Sequence, residues 1–133
     1  MPEPAAQNTE VLGMVRQRVG QQAYRQAMLD YWGGTCAVTG LALPQALRAS
    51  HAKPWAECAT DAEVYNGFLL SANLDALFDN FLISFTDEGV LLVSEQIDQC
   101  EREKLGLGDG MRLCWVAAQH LPYLRFHRER YFA

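Results

Sequence analysis

Between Met14 and Trp32 the apolar positions recur at helical spacing: Val15, Val19, Ala23, Ala27 and Tyr31, with Met28 and Trp32 beside them. That periodicity predicts an amphipathic helix, and Gly33-Gly34 predicts its end. Cys36 to Thr39, before Gly40, reads as a short strand or turn. Ala46 to His51 reads as a strand after Pro44, closed by Pro54, which cannot donate to a ladder. Residues 56–65 are polar and read as loop, and Asn66-Gly67 is a turn signal. Ala72 to Asp79 has helix-forming composition, with Leu74, Leu77 and Phe78 available for a core. Leu82 to Phe85 and Val90 to Val93 flank a polar Thr-Asp-Glu-Gly turn at 86–89 and predict a β-hairpin. Residues 95–104 read as a charged helix, Gly106, Gly108 and Gly110 as a loop, and about Pro122 to Tyr131 as a last helix. Helices and short strands mix without βαβ alternation, so the expected class is α+β. Residues 1–13 read as a flexible N-terminal tail and 14–133 as a single domain.

Composition narrows the function classes. The 133 residues, half of them hydrophobic, suffice for one core and are too few for two full domains. No run approaches the roughly 18 uninterrupted apolar residues of a membrane span. The first residues lack the basic start and apolar run of a signal peptide. No membrane partner and a cytoplasmic location are therefore expected. Cys36, Cys58, Cys100 and Cys114 form no C-x-x-C pair and read as small buried hydrophobes. The net charge of −5 argues, at face value, against a polyanionic partner. Its distribution alters that. Residues 1–54 sum to +2 and 112–133 to +3, whereas 55–86 and 87–111 each sum to −5. The ends are basic, and the acidic middle is either a solvated face or a place for cation ligands.

Four residues carry candidate chemistry: His51, Asn66, Asp75 and Asp79. Asp75 and Asp79 are four apart and project from one helix face, where two like charges repel unless solvated or bound to a shared cation. His51 ends an apolar strand, and its ordinary pKa near 6.5 suits a general base at neutral pH. Each also has a plainer reading: a solvated helix face, a packed strand-end histidine, an Asn-Gly turn former. Lys53 lies two residues from His51, and Arg48 lies on the opposite strand face. With Arg125 and Arg128, beside His127, they are candidate phosphate contacts. Trp55 could pack against the site or stack on a base. Arg18, Gln21 and Arg25 share a helix face and could meet nucleic acid or the acids of 95–103.

Taken in order, His51, Asn66-Gly67 and Asp75-x-x-x-Asp79 resemble the HNH endonuclease motif. Asp75 and Asp79 follow Asn66 by nine and thirteen residues, as in that family. The phrases Cys36-Ala-Val-Thr-Gly40, Ala49-Ser-His-Ala-Lys-Pro-Trp55, Asn66-Gly-Phe-Leu-Leu70, Leu74-Asp-Ala-Leu-Phe-Asp79 and Leu82-Ile-Ser-Phe85 resemble a bacterial HNH subfamily associated with restriction endonucleases. So do Arg18-Val-Gly-Gln-Gln-Ala-Tyr-Arg25 and Tyr123-Leu-Arg-Phe-His-Arg-Glu-Arg130.

The resemblance implies a ββα-metal core at about 36–80, with flanking N- and C-terminal helices and an additional β-hairpin. It implies hydrolysis of DNA phosphodiester bonds in restriction, defence or a mobile element, with His51 and Asn66 catalytic. Asp75 and Asp79 would be ligands for one divalent ion, Mg²⁺ or Mn²⁺. Two positions depart from the family. Ser50 stands where many members have a metal-binding His or Asp, and Asp75 where many have His. Where zinc-stapled members have C-x-x-C pairs, this chain has Cys36 with Thr39 and Ser71 with Leu74, so no structural zinc is expected. DNA is the expected partner, with a homodimer or a separate target-recognition protein as further partners. The alternatives are a catalytically weak nucleic-acid-binding module of the same fold and a protein-interaction domain.

Overall fold

The computed structural model describes residues 20–54 and 63–133. The N-terminal tail, residues 14–19 of the expected first helix, Trp55, Cys58 and most of the 56–65 loop lie outside the described residues. The chain is helical over residues 20–32 (α1). The buried stripe of α1 is Tyr24, Met28 and Trp32, while Ala23 and Ala27 face solvent. It is rotated by one residue from the expected stripe, because three large side chains remove far more apolar area from water than alanines do. The helix ends at the glycines as expected. Gly33 and Gly34 have φ of +67° and +72°, and the Gly34 N–H bonds to the Leu29 carbonyl at 2.8 Å. Arg25 bonds to main-chain carbonyls rather than to the acids of 95–103. Its guanidinium donates to the carbonyls of Leu47 and Pro44 at 2.8 Å each, bracing the start of the next strand.

Residues 36–40 form a turn, closed by bonds from Cys36 N–H to the Leu41 carbonyl and from Gly40 N–H to the Cys36 carbonyl. The Cys36 sulfur accepts the Thr39 and Ser71 N–H groups at 3.4 Å, which ties this turn to a strand far downstream. Cys36 is buried as expected, but Cys100 and Cys114 are exposed, which corrects the reading of the cysteines as core residues. Cys100 lies on the solvent side of a short charged helix, and Cys114 in a loop.

Strands β1 (Leu47–His51) and β2 (Gly67–Ser71) pair antiparallel, with Leu47 opposite Ser71 and His51 opposite Gly67. All five residues of β2 are buried, so it has no polar alternation to announce it. Gly67 has φ of +139°, and a Cβ there would collide with the Ser50 carbonyl oxygen and lie 2.7 Å from the Tyr24 hydroxyl. The Asn-Gly pair is therefore a strand start where two backbones approach closely, rather than a tight turn.

Helix α2 (Ala72–Asp79) follows directly and packs on β1 and β2, burying Leu74, Leu77 and Phe78. It closes with bonds from Leu82 N–H to Leu77 and from Phe81 N–H to Phe78, a Schellman end. Phe81 occupies the left-handed position of that end, at φ +59°, where glycine is usual. The expected hairpin is present as β3 (Ile83–Phe85) and β4 (Leu91–Val93). Helix α3 (Gln99–Lys104) is shorter than the expected 95–104, because Asp98 caps it by accepting the Glu101 N–H at 2.8 Å. Helix α4 (Leu121–Arg128) follows a 3-10 turn at Ala118–His120 and packs on β3. One cluster of buried residues, including Met28, Leu47, Phe68, Phe78, Phe85, Leu113 and Leu124, joins these elements. The mixture of helices and two small sheets is α+β. Among the described residues no helix is long and apolar enough to cross a membrane.

Candidate active site

Alternation along β1 sends Ser50 and His51 to opposite faces. Ser50 is buried and donates its hydroxyl proton to the Asp75 carboxylate, joining β1 to α2. His51, at the strand end, stacks on the Tyr24 ring of α1 with centroids 4.1 Å apart and planes 12° apart. Burial holds the His51 imidazole below its ordinary range, and the Asp79 carboxylate pulls in the other direction. A ring in that state is neutral at pH 7 and able to accept a proton.

Asn66 is fully buried and grips the main chain just past His51. Its Oδ1 accepts the Lys53 N–H at 2.9 Å and its Nδ2 donates to the Lys53 carbonyl at 3.1 Å. Its own carbonyl accepts the Ala52 N–H at 3.3 Å and the Tyr24 hydroxyl at 2.7 Å. Burial pushes the Tyr24 phenol up, so it remains a proton donor to that carbonyl. The segment that leaves β1 is thus fixed by side-chain amide bonds rather than by a ladder.

A cleft of about 270 Å³ opens beside the strand end, lined by His51, Pro54, Phe78, Asp79, Phe81 and His127. The structure therefore brings His51 and Asp79 to one cavity, whereas Asp75 is bonded to Ser50, whose side chain leaves the other face of β1. The donors that α2 and β1 offer are oxygens, two carboxylates and one hydroxyl, which suit a hard divalent cation. Among the described residues no group of three or more His, Cys, Asp and Glu side chains converges. A cation held by Asp75 and Asp79 would accordingly complete its shell with water and substrate oxygens.

The basic candidates are arranged differently. The Lys53 ammonium lies 5.6 Å from the centroid of the Phe126 ring. Arg48 donates to the carbonyls of Gln45 and Leu47 at 3.1 and 2.9 Å. Arg125 and Arg128 both pair with Asp87, at 2.8 and 2.7 Å, and Arg128 also donates to the Phe85 carbonyl. The two guanidiniums hold the Asp87 carboxyl down at about 2.

Two residues at the site, Tyr24 and Phe81, carry no candidate role in the sequence, and a third, His127, stands there only as a neighbour of the basic patch. Tyr24 was hidden by the displaced helix stripe. Phe81 sits in a helix end whose handedness leaves no compositional trace. His127 was grouped with the surface arginines of α4, yet it is buried against the cleft. The i, i+3 relation of Leu124 to His127, both buried on α4, was the available signal.

An antiparallel strand pair and a following helix thus carry a strand-end histidine, a clamping asparagine and two carboxylates. Residues 36–86 match the model of the HNH endonuclease family. The matched segment contains β1, β2, α2 and β3, and with them His51, Asn66, Asp75 and Asp79. At the level of that family, the match supports nuclease activity on nucleic acid, a hydrolase reaction. No curated protein matches the chain.

Proposed function

We propose that this protein is a metal-dependent HNH endonuclease that hydrolyses DNA phosphodiester bonds, with β1, β2 and α2 as its ββα-metal core. The observation that carries the reading is the cleft that His51 and Asp79 share at the end of β1. His51 takes the proton from the attacking water as general base. Tyr24 stacking and the Asn66 clamp on Lys53 hold the imidazole at the cleft, a positioning contribution. Asp75 and Asp79 hold Mg²⁺ or Mn²⁺, which when bound neutralises charge on the scissile phosphate. Lys53 and Arg48 contact the DNA backbone, with Arg125 and Arg128 as a second set. A target-recognition protein or a second copy of this chain supplies further DNA contact, in a restriction, defence or mobile-element setting.

The test is cleavage of supercoiled plasmid in Mg²⁺ or Mn²⁺. Wild type is expected to nick or linearise the plasmid, and chelation to stop it. His51→Ala is expected to lower the rate by about 10²–10⁴-fold, the usual contribution of a positioned base. Plasmid binding without cleavage by wild type would instead support the weak nucleic-acid-binding module. The bond that engages Asp75 with Ser50 is the feature favouring that second reading.

A further inference from the structure

His127 is 1% exposed, and both of its ring nitrogens are engaged. Nε2 lies 2.6 Å from the Phe78 carbonyl oxygen and Nδ1 lies 2.9 Å from the Ser84 hydroxyl oxygen. A carbonyl can only accept, so Nε2 carries the proton and Nδ1 accepts the Ser84 O–H. The Phe78 carbonyl thus fixes the tautomer, and the Ser84 hydroxyl donates to the nitrogen left as acceptor. The imidazole also stacks on the Phe78 ring, with centroids 3.7 Å and planes 6° apart, and on the Phe81 ring at 4.8 Å. Phe78 and Phe81 bracket Asp79 in the chain.

Two features mark this as more than core filling. An apolar side chain of similar volume would fill the space without needing partners for two buried nitrogens. Phe81 keeps a left-handed backbone that glycine would adopt without strain, and what glycine could not supply is the ring against His127. The last turn of a helix frays unless its carbonyls are held, and the Phe78 carbonyl, which already accepts the Phe81 N–H, gains a second bond from α4.

Building on the nuclease reading, we infer that His127 is a positioning residue that locks the last turn of α2 and so sets Asp79 against His51 for metal binding. It touches neither substrate nor cation. It acts through the Phe78 carbonyl and the Phe78–Phe81 sandwich.

The experiment titrates the full chain with Mn²⁺ alone, reading bound ion by electron paramagnetic resonance, and measures plasmid cleavage in parallel. The variants are His127→Phe, which keeps the stacking and loses both bonds, His127→Gln, which keeps a donor, and Ser84→Ala, which leaves the buried Nδ1 without its donor. Thermal melting identifies the folded ones. His127→Phe is expected to weaken Mn²⁺ binding about tenfold, Ser84→Ala about threefold, and His127→Gln is expected to recover most of the loss. Wild-type Mn²⁺ affinity in a folded His127→Phe overturns the inference. If that variant does not fold, unchanged affinity in Ser84→Ala overturns it. Those outcomes leave the nuclease reading standing, provided wild type binds Mn²⁺ and cleaves. Wild type that does neither removes the nuclease reading, and the positioning role with it.

Discussion

Single residues here do work that composition alone does not assign. His120 is fully buried beside the rings of Tyr31, Trp32, Tyr65 and Phe68, which offer no countercharge. Its Nδ1 accepts the Ala117 N–H at 2.9 Å. Burial pushes the imidazole down to about 4. A histidine lowered in the folded state stabilises the fold fully above its unfolded pKa, near 6.5, and loses that contribution as pH falls through the folded value. The stability of this protein should therefore fall by up to about 3 kcal/mol on this account as pH drops from 6.5 to 4. Urea midpoints at pH 7 and pH 4.5 measure it, and His120→Gln should reduce the difference without abolishing it, because burial also pushes the His127 imidazole down to about 4. An equal pH response in that variant would assign the acid sensitivity elsewhere. Asn66 and Gly67 illustrate the same point about context. As a dipeptide they signal a turn, but the buried amide clamps Lys53 and the missing Cβ clears the Ser50 carbonyl.

Elements differ in how plainly they were written in the chain. Helix α2 was readable to the residue, because Ala72 to Asp79 combines good helix formers with apolar positions at 74, 77 and 78. The hairpin was equally plain, since a polar turn separates two β-rich runs. Strand β2 was not, because burial on both faces erases alternation, and only the resemblance implied it. The stripe of α1 was misplaced by one residue because pattern counts positions whereas packing weighs area. His51, Asn66, Asp75 and Asp79 could be nominated by type and spacing. Their neighbours Tyr24, Phe81 and His127 could not, because those contacts exist only once α1 and α4 dock. Helix α2 also carries a conflict that is informative in itself. Asp79 sits in the last turn, where a carboxylate opposes the helix dipole, four residues from a like charge, and no basic residue shares that turn. Asp79→Asn should therefore stabilise the fold by about 0.3–1 kcal/mol while abolishing metal-dependent cleavage. Thermal melting paired with the plasmid assay tests this, and a loss of both stability and activity would make Asp79 a structural residue instead.

For the whole molecule, the question is how a chain of net charge −5 approaches DNA. Much of the basic C-terminal stretch is already engaged, since Asp87 pairs with both Arg125 and Arg128 and offsets one of their two charges. Attraction at a distance is correspondingly small, and binding should be modest and sensitive to salt. Asp87→Asn releases two guanidiniums at once. It should tighten binding to a DNA duplex several-fold at low salt and steepen the salt dependence, read by fluorescence anisotropy across a salt series. An unchanged slope would show that this face of α4 lies away from the DNA. The cleft itself is assembled from distant parts of the chain: His51 from β1, Asp79 and Phe78 from α2, and His127 from α4. That arrangement has a consequence for biosynthesis. Synthesis runs from the N-terminus, so the strand pair and α2 are complete while the residue that seals their cavity has yet to be added. A nascent or truncated chain that stops before α4 thus contains His51, Asn66, Asp75 and Asp79 but not the His127 wall of the cleft, so the proposed activity should wait on the synthesis of α4.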